Sequence, residues 1–381
     1  MKRALALAFL LACDAGAGAV VDASTEASAS DAAPDAIATD ASDAAARGPA
    51  RVYVGASDGM IHVFAFDETS YALTPVDATP TGGNPSFLAF DAARAHLYAV
   101  DEVNSLVLAF AIDPKTGKLT SQGSVGSRGQ GPAHVGLDRA SELVMTANYG
   151  NGTIAVFPRA QDGTLGDASA THSFGATAET HEIVADPSNA FVLVPNKGLD
   201  GVAVFRRDGG ALSYLGLTPA GGGARHIAFD PPGTHAYVVD ENASMIVAFD
   251  FDPGSGALSQ IQSLSSLYGG TVDGAANTGA EIQVTSDGKH VLASNRGDDS
   301  IVVFDIGPGA KLTPKARVSS GGQTPRQFQI EETGRFLFVG NQTSGAVVTM
   351  TMDAQSGVPS PVGTPVAITG PEFVGLVYLP P

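Results

Sequence analysis

From Arg51 onward, apolar positions come in short β-branched runs separated by polar turns. "VYVGASDGMIHVFAF", "HLYAVDEVNSLVLAF", "LVMTANYGNGTIAVF", "FVLVPNKGLDGVAVF", "AYVVDENASMIVAF", "HVLASNRGDDSIVVF" and "LFVGNQTSGAVVTM" share one plan: a run, a turn, a second run. Such a pattern predicts paired strands. The second runs end at Phe64, Phe110, Phe157, Phe205, Phe249, Phe304 and Met350, roughly 44 to 55 residues apart, so there are seven units. Between them lie further short strands, "SFLAFD", "AHVGLD", "HEIVAD", "RHIAFD", "EIQVTS" and "RQFQIE". Segments such as "PKTGKLTSQGSV", "RDGGALSYLGL" and "PGSGALSQIQSL" supply a fourth strand. Four short strands per unit at this period predict an all-β, seven-bladed β-propeller over residues 51–381. The first unit lacks its innermost strand, and "EFVGLVYLP" is surplus at the other end. The ring is therefore expected to close through pairing of Val374–Tyr378 with the strand containing Val52–Val54, which hides two sheet edges.

The repeat also predicts where chemistry can sit. The innermost strand of a blade runs one way and its neighbour returns, so the start of the first and the end of the second share one face near the channel. The inner-strand slot holds Ser86, Ala133, His181, Arg225, Glu281, Arg326 and Glu372. The second slot, eight residues before each anchor, holds Ala56, Glu102, Tyr149, Lys197, Glu241, Arg296 and Gln342. The strands around these slots keep one apolar type from blade to blade, whereas the slots vary and are often charged. Blades four to seven contribute most of the titratable groups, which predicts an off-centre pocket over those blades. His226 follows Arg225 on an alternating strand and is expected to point elsewhere. The Gly-rich stretch from Ser265 to Ala280 enters the same face as a candidate lid.

Composition adds a location and removes some partners. Lys2 and Arg3 precede a short apolar run that stops at Cys13, the only cysteine. "LLAC" resembles a lipobox, so residues 1–12 read as a lipoprotein signal peptide and Cys13 as the lipidation site. The Ala/Asp/Ser-rich stretch of 13–50 cannot bury enough apolar surface to offset the entropy of ordering and reads as a disordered tether. The expected location is extracytoplasmic, with membrane contact only through the N-terminal lipid. With 39 acidic against 21 basic residues the chain carries −18 at pH 7. That disfavours nucleic acid. The histidines at 62, 96, 134, 172, 235 and 290 show no metal-ligand spacing. No cofactor or metal is expected, and the chain is read as a monomer.

The residues alone leave open whether this face is catalytic or belongs to a non-enzymatic propeller that binds a ligand, glycan or protein there. The stretches "GGARHIAFDPPGTHAYVVDE", "GAEIQVTSDGKHVLASNRGDDSIVVF" and "TPRQFQIEETGRFLFVGNQ" resemble the seven-bladed propeller lactonases. That family is typified by 6-phosphogluconolactonase and related to the fungal carboxymuconate cyclases. The resemblance spans about Arg51 to Tyr378 and implies hydrolysis of a sugar lactone or a similar lactone. It implies a catalytic set of His181, Arg225, Glu241 and Arg296. Glu281, Arg326, Lys197 and Gln342 are then candidates for binding a lactone or sugar acid. The chain departs from the family in having Ala224 where a Pro often precedes the Arg-His pair.

Overall fold

The computed structural model describes residues 47–268 and 276–381. Cys13, the signal peptide, all but the last residues of the tether and the centre of the candidate lid lie outside the described residues.

Each repeat unit folds as its pattern predicts. The turn between the first and second strands is built by an acid or hydroxyl at its first position. Asp91 Oδ1 accepts from the backbone N–H of Ala95 and His96, and Asp138 Oδ1 accepts from Glu142 and Leu143. Asp230 and Thr285 repeat the device in later blades. Short polar side chains that satisfy their own turn are what fixes such hairpins.

The described residues form seven four-stranded antiparallel sheets. Six are consecutive in sequence. In the seventh, strand Pro371–Tyr378 is innermost and pairs with Ala50–Ala56, bringing Val52 opposite Leu376 and Val54 opposite Val374. The ring closes in the register expected from the missing first strand. We number the blades from this closing sheet, so blade 2 begins at Leu88–Phe90 and blade 7 at Pro325–Ile330.

The core is divided into seven apolar clusters, one in each gap between neighbouring blades. The repeat anchors all lie in it, from Phe64 at 4% exposure to Phe157, Phe249, Phe304 and Met350 at 0%. Tyrosines tie blades together by donating across the gaps: Tyr53 Oη to the Gly117 carbonyl at 2.7 Å and Tyr98 Oη to Gly163 at 2.8 Å.

The innermost strands diverge around the channel, which leaves backbone N–H groups unpaired on that side. Side chains from the preceding blade satisfy several of them. Glu182 accepts from Ile227 N at 2.6 Å, Gln283 Oε1 from Ile330 N at 2.9 Å and Gln327 Oε1 from Val374 N at 2.8 Å. A buried N–H without a partner costs about 1–3 kcal/mol, so these links hold the channel wall together as well as closing it.

Candidate functional site at the channel mouth

In five blades the backbone N–H of the second slot donates to the carbonyl two residues before the inner slot. The pairs are Glu102–Asn84 at 3.0 Å, Tyr149–Gly131 at 2.9 Å, Lys197–Glu179 at 3.2 Å, Glu241–Gly223 at 2.7 Å and Gln342–Thr324 at 2.9 Å. Both slots of a blade are thereby held at one mouth.

The inner strands do not alternate simply at this end. The register shifts between Ala224 and His226, leaving Arg225 as a bulged residue opposite no partner. The same shift occurs around Ala133, Arg326 and the Ala280–Glu281 pair. A bulge re-aims side chains. Here it turns two consecutive residues toward the channel. Arg225 and His226 both line the small cavity on its axis, and Arg326 and Gln327 do the same. His226, expected to point away, is a channel residue. The cavity is also not off-centre, because blades 1, 2 and 3 contribute Glu372, Ser86, Phe87 and Ala133 to it. At about 10 Å³ it holds little more than one water-sized molecule.

Over blades 3 to 6 the mouth carries a cationic lobe gathered on one carboxylate. Glu241 Oε2 lies 3.1 Å from Arg225 Nε and 3.3 Å from Arg296 Nη2, and its Oε1 lies 3.5 Å from Lys197 Nζ. Lys197 also contacts Glu179 Oε2 at 3.1 Å and donates to Tyr149 Oη at 2.8 Å. Arg225 is only 2% exposed and donates through Nη1 to the Ala280 carbonyl. Arg296 donates to the Gly279 carbonyl at 3.1 Å. Among the described residues the Nε of each arginine lacks an aligned acceptor. Arg225 Nε thus meets Glu241 as a close ion pair without hydrogen-bond alignment.

These contacts fix protonation. Burial alone would raise the Glu241 carboxyl, but Arg225, Arg296 and Lys197 together hold it below its ordinary value. It is an ionised anchor and a poor proton acceptor. Burial, with the like charges of Arg225, His226, Arg326 and Arg296, pushes His181 well below 6.5. His181 is therefore a neutral imidazole, 6% exposed, whose Nδ1 has no partner among the described residues. Its ring lies 5.7 Å from that of Tyr149 and 5.1 Å from that of His226.

A second lobe spans blades 7, 1 and 2. Glu372 meets Arg326 Nε at 3.4 Å and accepts from Gln342 Nε2 at 3.0 Å. Asn84 Nδ2 donates to Glu102 Oε2 at 2.9 Å and reaches both oxygens of Glu372 at 3.4 Å. Burial raises the Glu102 carboxyl, and the Glu372 charge adds to this against the opposing effect of Arg326.

One layer deeper the channel holds His226, Glu281, His134 and Glu182. His226 Nδ1 lies 3.2 Å from Glu281 Oε2, and His134 Nε2 lies 3.7 Å from Glu182 Oε1. Burial pushes Glu281 up and drives His226 and His134 down. Below them a cavity of about 330 Å³ opens, walled by Glu182, Glu281, Phe87, Phe373 and glutamines 283, 327 and 329.

The structure thus brings His181, Arg225, Glu241 and Arg296 together, with Lys197, Arg326 and Gln342 around them. It sets Glu281 behind His226 in the deeper layer. Asn84 and Glu179 were not anticipated. They occupy the position two before the inner slot, which is Gly131, Gly223, Gly279 and Gly370 in four other blades and Thr324 in blade 7. Glu179 holds the left-handed φ of 50° there. A non-glycine residue tolerated at such a position is a sign of a constraint beyond folding.

The arrangement can hold a negative or developing negative oxygen against two guanidinium groups, beside a neutral imidazole, in a site largely closed to water. Two carboxylate-anchored arginines in such surroundings are stronger than in solvent.

Comparison with known proteins bears on the family and the fold. Residues 51–376 match the family model "Lactonase, 7-bladed beta-propeller". A 6-phosphogluconolactonase of Bacillus subtilis (strain 168) is 32% identical over 329 residues, covering 82% of this chain and 93% of that protein. One from Pectobacterium carotovorum is 28% identical and covers 86% and 98%. Among solved structures, the periplasmic gluconolactonase of Pseudomonas aeruginosa superposes with a TM-score of 0.79 at 26% identity, over 87% of this chain and 100% of that one.

Proposed function

The chain belongs to the seven-bladed β-propeller lactonase family, and on that premise we propose that it hydrolyses a sugar lactone at the channel mouth through His181, Arg225, Glu241 and Arg296. The observation that carries this reading is the convergence of Arg225 and Arg296 on one ionised Glu241 beside a neutral His181 with a free Nδ1.

The roles follow from charge and protonation. The lactone carbonyl oxygen sits against the arginines, which stabilise the negative charge that grows on it during attack. His181 Nδ1 takes a proton from the attacking water as the water oxygen bonds to the carbonyl carbon. Charging an imidazole beside Arg225 is unfavourable in the resting site. The oxyanion forming on the substrate offsets that cost. The ring C–O bond then breaks, and His181 returns its proton to the departing alkoxide. The product hydroxy acid loses its proton to solvent, so each turnover releases one acid equivalent. Glu241 holds both guanidinium groups in place, since its depressed carboxyl is ill suited to act as the base. Arg326, Lys197 and Gln342 flank the reacting centre and contact the rest of the substrate. Glu281 acts from behind, through His226.

The same proposal places the mature chain outside the cytoplasm, anchored by an acylated Cys13. The lipobox-like "LLAC" supports this. So does the likeness to a gluconolactonase that is periplasmic in Pseudomonas aeruginosa. Among the described residues no helix is long and apolar enough to cross a membrane.

A pH-stat screen over a panel of sugar lactones tests the activity directly. Acid release above the spontaneous rate, lost on Arg225→Ala, is the expected result. Absence of hydrolysis on every lactone, with a ligand that binds the wild type and not that variant, would favour the binding-module alternative.

A further inference from the structure

We propose that the lactone opened here is unphosphorylated, and that its hydroxyl groups are read by the lobe of Asn84, Ser86, Glu102 and Glu372; this rests on the lactonase reading above.

That lobe is rich in hydrogen-bond acceptors. Glu102 and Glu372 are acceptor-only when ionised, and the Asn84 carbonyl Oδ1 has no partner among the described residues. Ser86 is 2% exposed and lines the axial cavity, and its Oγ, although close to Glu102, makes no aligned hydrogen bond. A surface of this kind suits a ligand that brings donors. Sugar hydroxyls do so, and a phosphate dianion brings none.

The cations at the mouth point the same way. Lys197, Arg225, Arg296 and Arg326 each face a carboxylate within 3.5 Å: Glu179 and Glu241 for the first, Glu241 for the next two and Glu372 for the last. Among the described residues, four cations meet four carboxylates at the mouth once Glu102 is included. A phosphate placed against Arg326 would also lie against Glu372 and Glu102. The whole chain, at −18, repels a dianion further.

The lobe is joined to the reacting centre. Ser86, Glu372 and Arg326 line the same cavity as His181 and Arg225. At about 10 Å³ that cavity takes no more than the carbonyl end of the ring, so the ring rests over the mouth with its hydroxyls toward the half-buried Asn84 and Glu102 of blade 2.

The test compares kcat/KM for glucono-δ-lactone and its 6-phosphate ester, by pH-stat at low and high ionic strength. The neutral lactone is expected to be preferred at least tenfold, with a rate that salt barely changes. Asn84→Ala and Ser86→Ala are expected to raise KM for the neutral lactone about tenfold with kcat nearly unchanged. That penalty should shrink on a deoxy-lactone lacking the hydroxyl concerned. Preference for the phosphate ester would overturn the proposal and leave the lactonase reading standing. No hydrolysis of either, or of any other lactone, would remove both. The wild-type substrate comparison does not depend on any variant folding.

Discussion

Asp240 offers a direct physical test of the repeat, because its blade breaks a pattern that three others keep. The position just before the second slot is Asn148, Asn295 and Asn341 in blades 3, 6 and 7. Each of these donates Nδ2 to the carbonyl at the exit of the preceding blade: Ser127 at 3.0 Å, Ser266 at 2.9 Å and Ser320 at 2.9 Å. Blade 5 has Asp240, 0% exposed, with neither oxygen partnered among the described residues. Burial, and then the charge of Asp200, pushes its carboxyl from 3.8 to about 8. The folded state therefore binds a proton that the unfolded chain releases. The associated stability is full below pH 3.8 and is lost progressively as pH rises toward 8. Asp240→Asn removes the titration and supplies the missing donor, with the Ala220 carbonyl at the equivalent exit. An unsatisfied buried polar group costs about 1–3 kcal/mol, so the variant should gain about that much near pH 8. For a domain of this size that corresponds to roughly 2–6 °C in Tm. Calorimetric melting at pH 8.5, 7 and 5 reads it, and the gain should shrink steadily toward pH 5. A variant that melts below wild type at pH 8.5, or whose gain is the same at all three values, would refute the reasoning.

Other expectations follow from the same structure. Deleting residues 371–381 removes the innermost strand of blade 1 and exposes the edge of Ala50–Ala56; the soluble fraction on expression should collapse, and a truncated chain that stays soluble with unchanged melting would count against closure. Because burial and the facing Arg225, His226, Arg326 and Arg296 hold His181 well below 6.5, the acid limb of a kcat/KM profile should lie below pH 6.5; a limb at or above that value would exclude His181 as the acceptor. Cys13→Ser should move the protein from the membrane to the soluble fraction, and persistent membrane association would contradict lipid anchoring.

Much of the architecture could be read from the chain because a propeller repeats its pattern seven times. The anchors at Phe64 through Met350 are all core residues, and the surplus "EFVGLVYLP" identified the closing strand. The pairing of Arg225 with Glu241 was also legible, since both are fixed by the ends of one hairpin. His226 was not. Strict alternation sends it away from Arg225, whereas the bulge at Arg225 turns both inward. A bulge is set by how a strand pairs, and one residue per blade read at fixed spacing carries no trace of it. The central placement of the cavity was missed for a related reason. Charge density alone favoured blades 4 to 7, but Ser86, Phe87 and Ala133 wall the cavity without carrying charge. Asn84 and Glu179 had a usable signal, being polar, as Thr324 is, where Gly131, Gly223, Gly279 and Gly370 stand in four other blades.

The central claim is that the paired arginines and His181 open a lactone ring. Steady-state hydrolysis of the best substrate from the panel, by wild type and by Arg225→Ala, Arg296→Ala and His181→Gln, tests it most directly. Removing one preorganised charged donor typically costs roughly 10²–10³ in turnover, and each arginine variant should lose about that much. Arg225→Lys should recover little, because an ammonium cannot reproduce the planar fork. Cooperative melting close to wild type, checked on the same samples, would show that the loss is chemical. Wild-type turnover by Arg225→Ala and Arg296→Ala on a lactone the native protein hydrolyses would place the chemistry elsewhere and contradict the account.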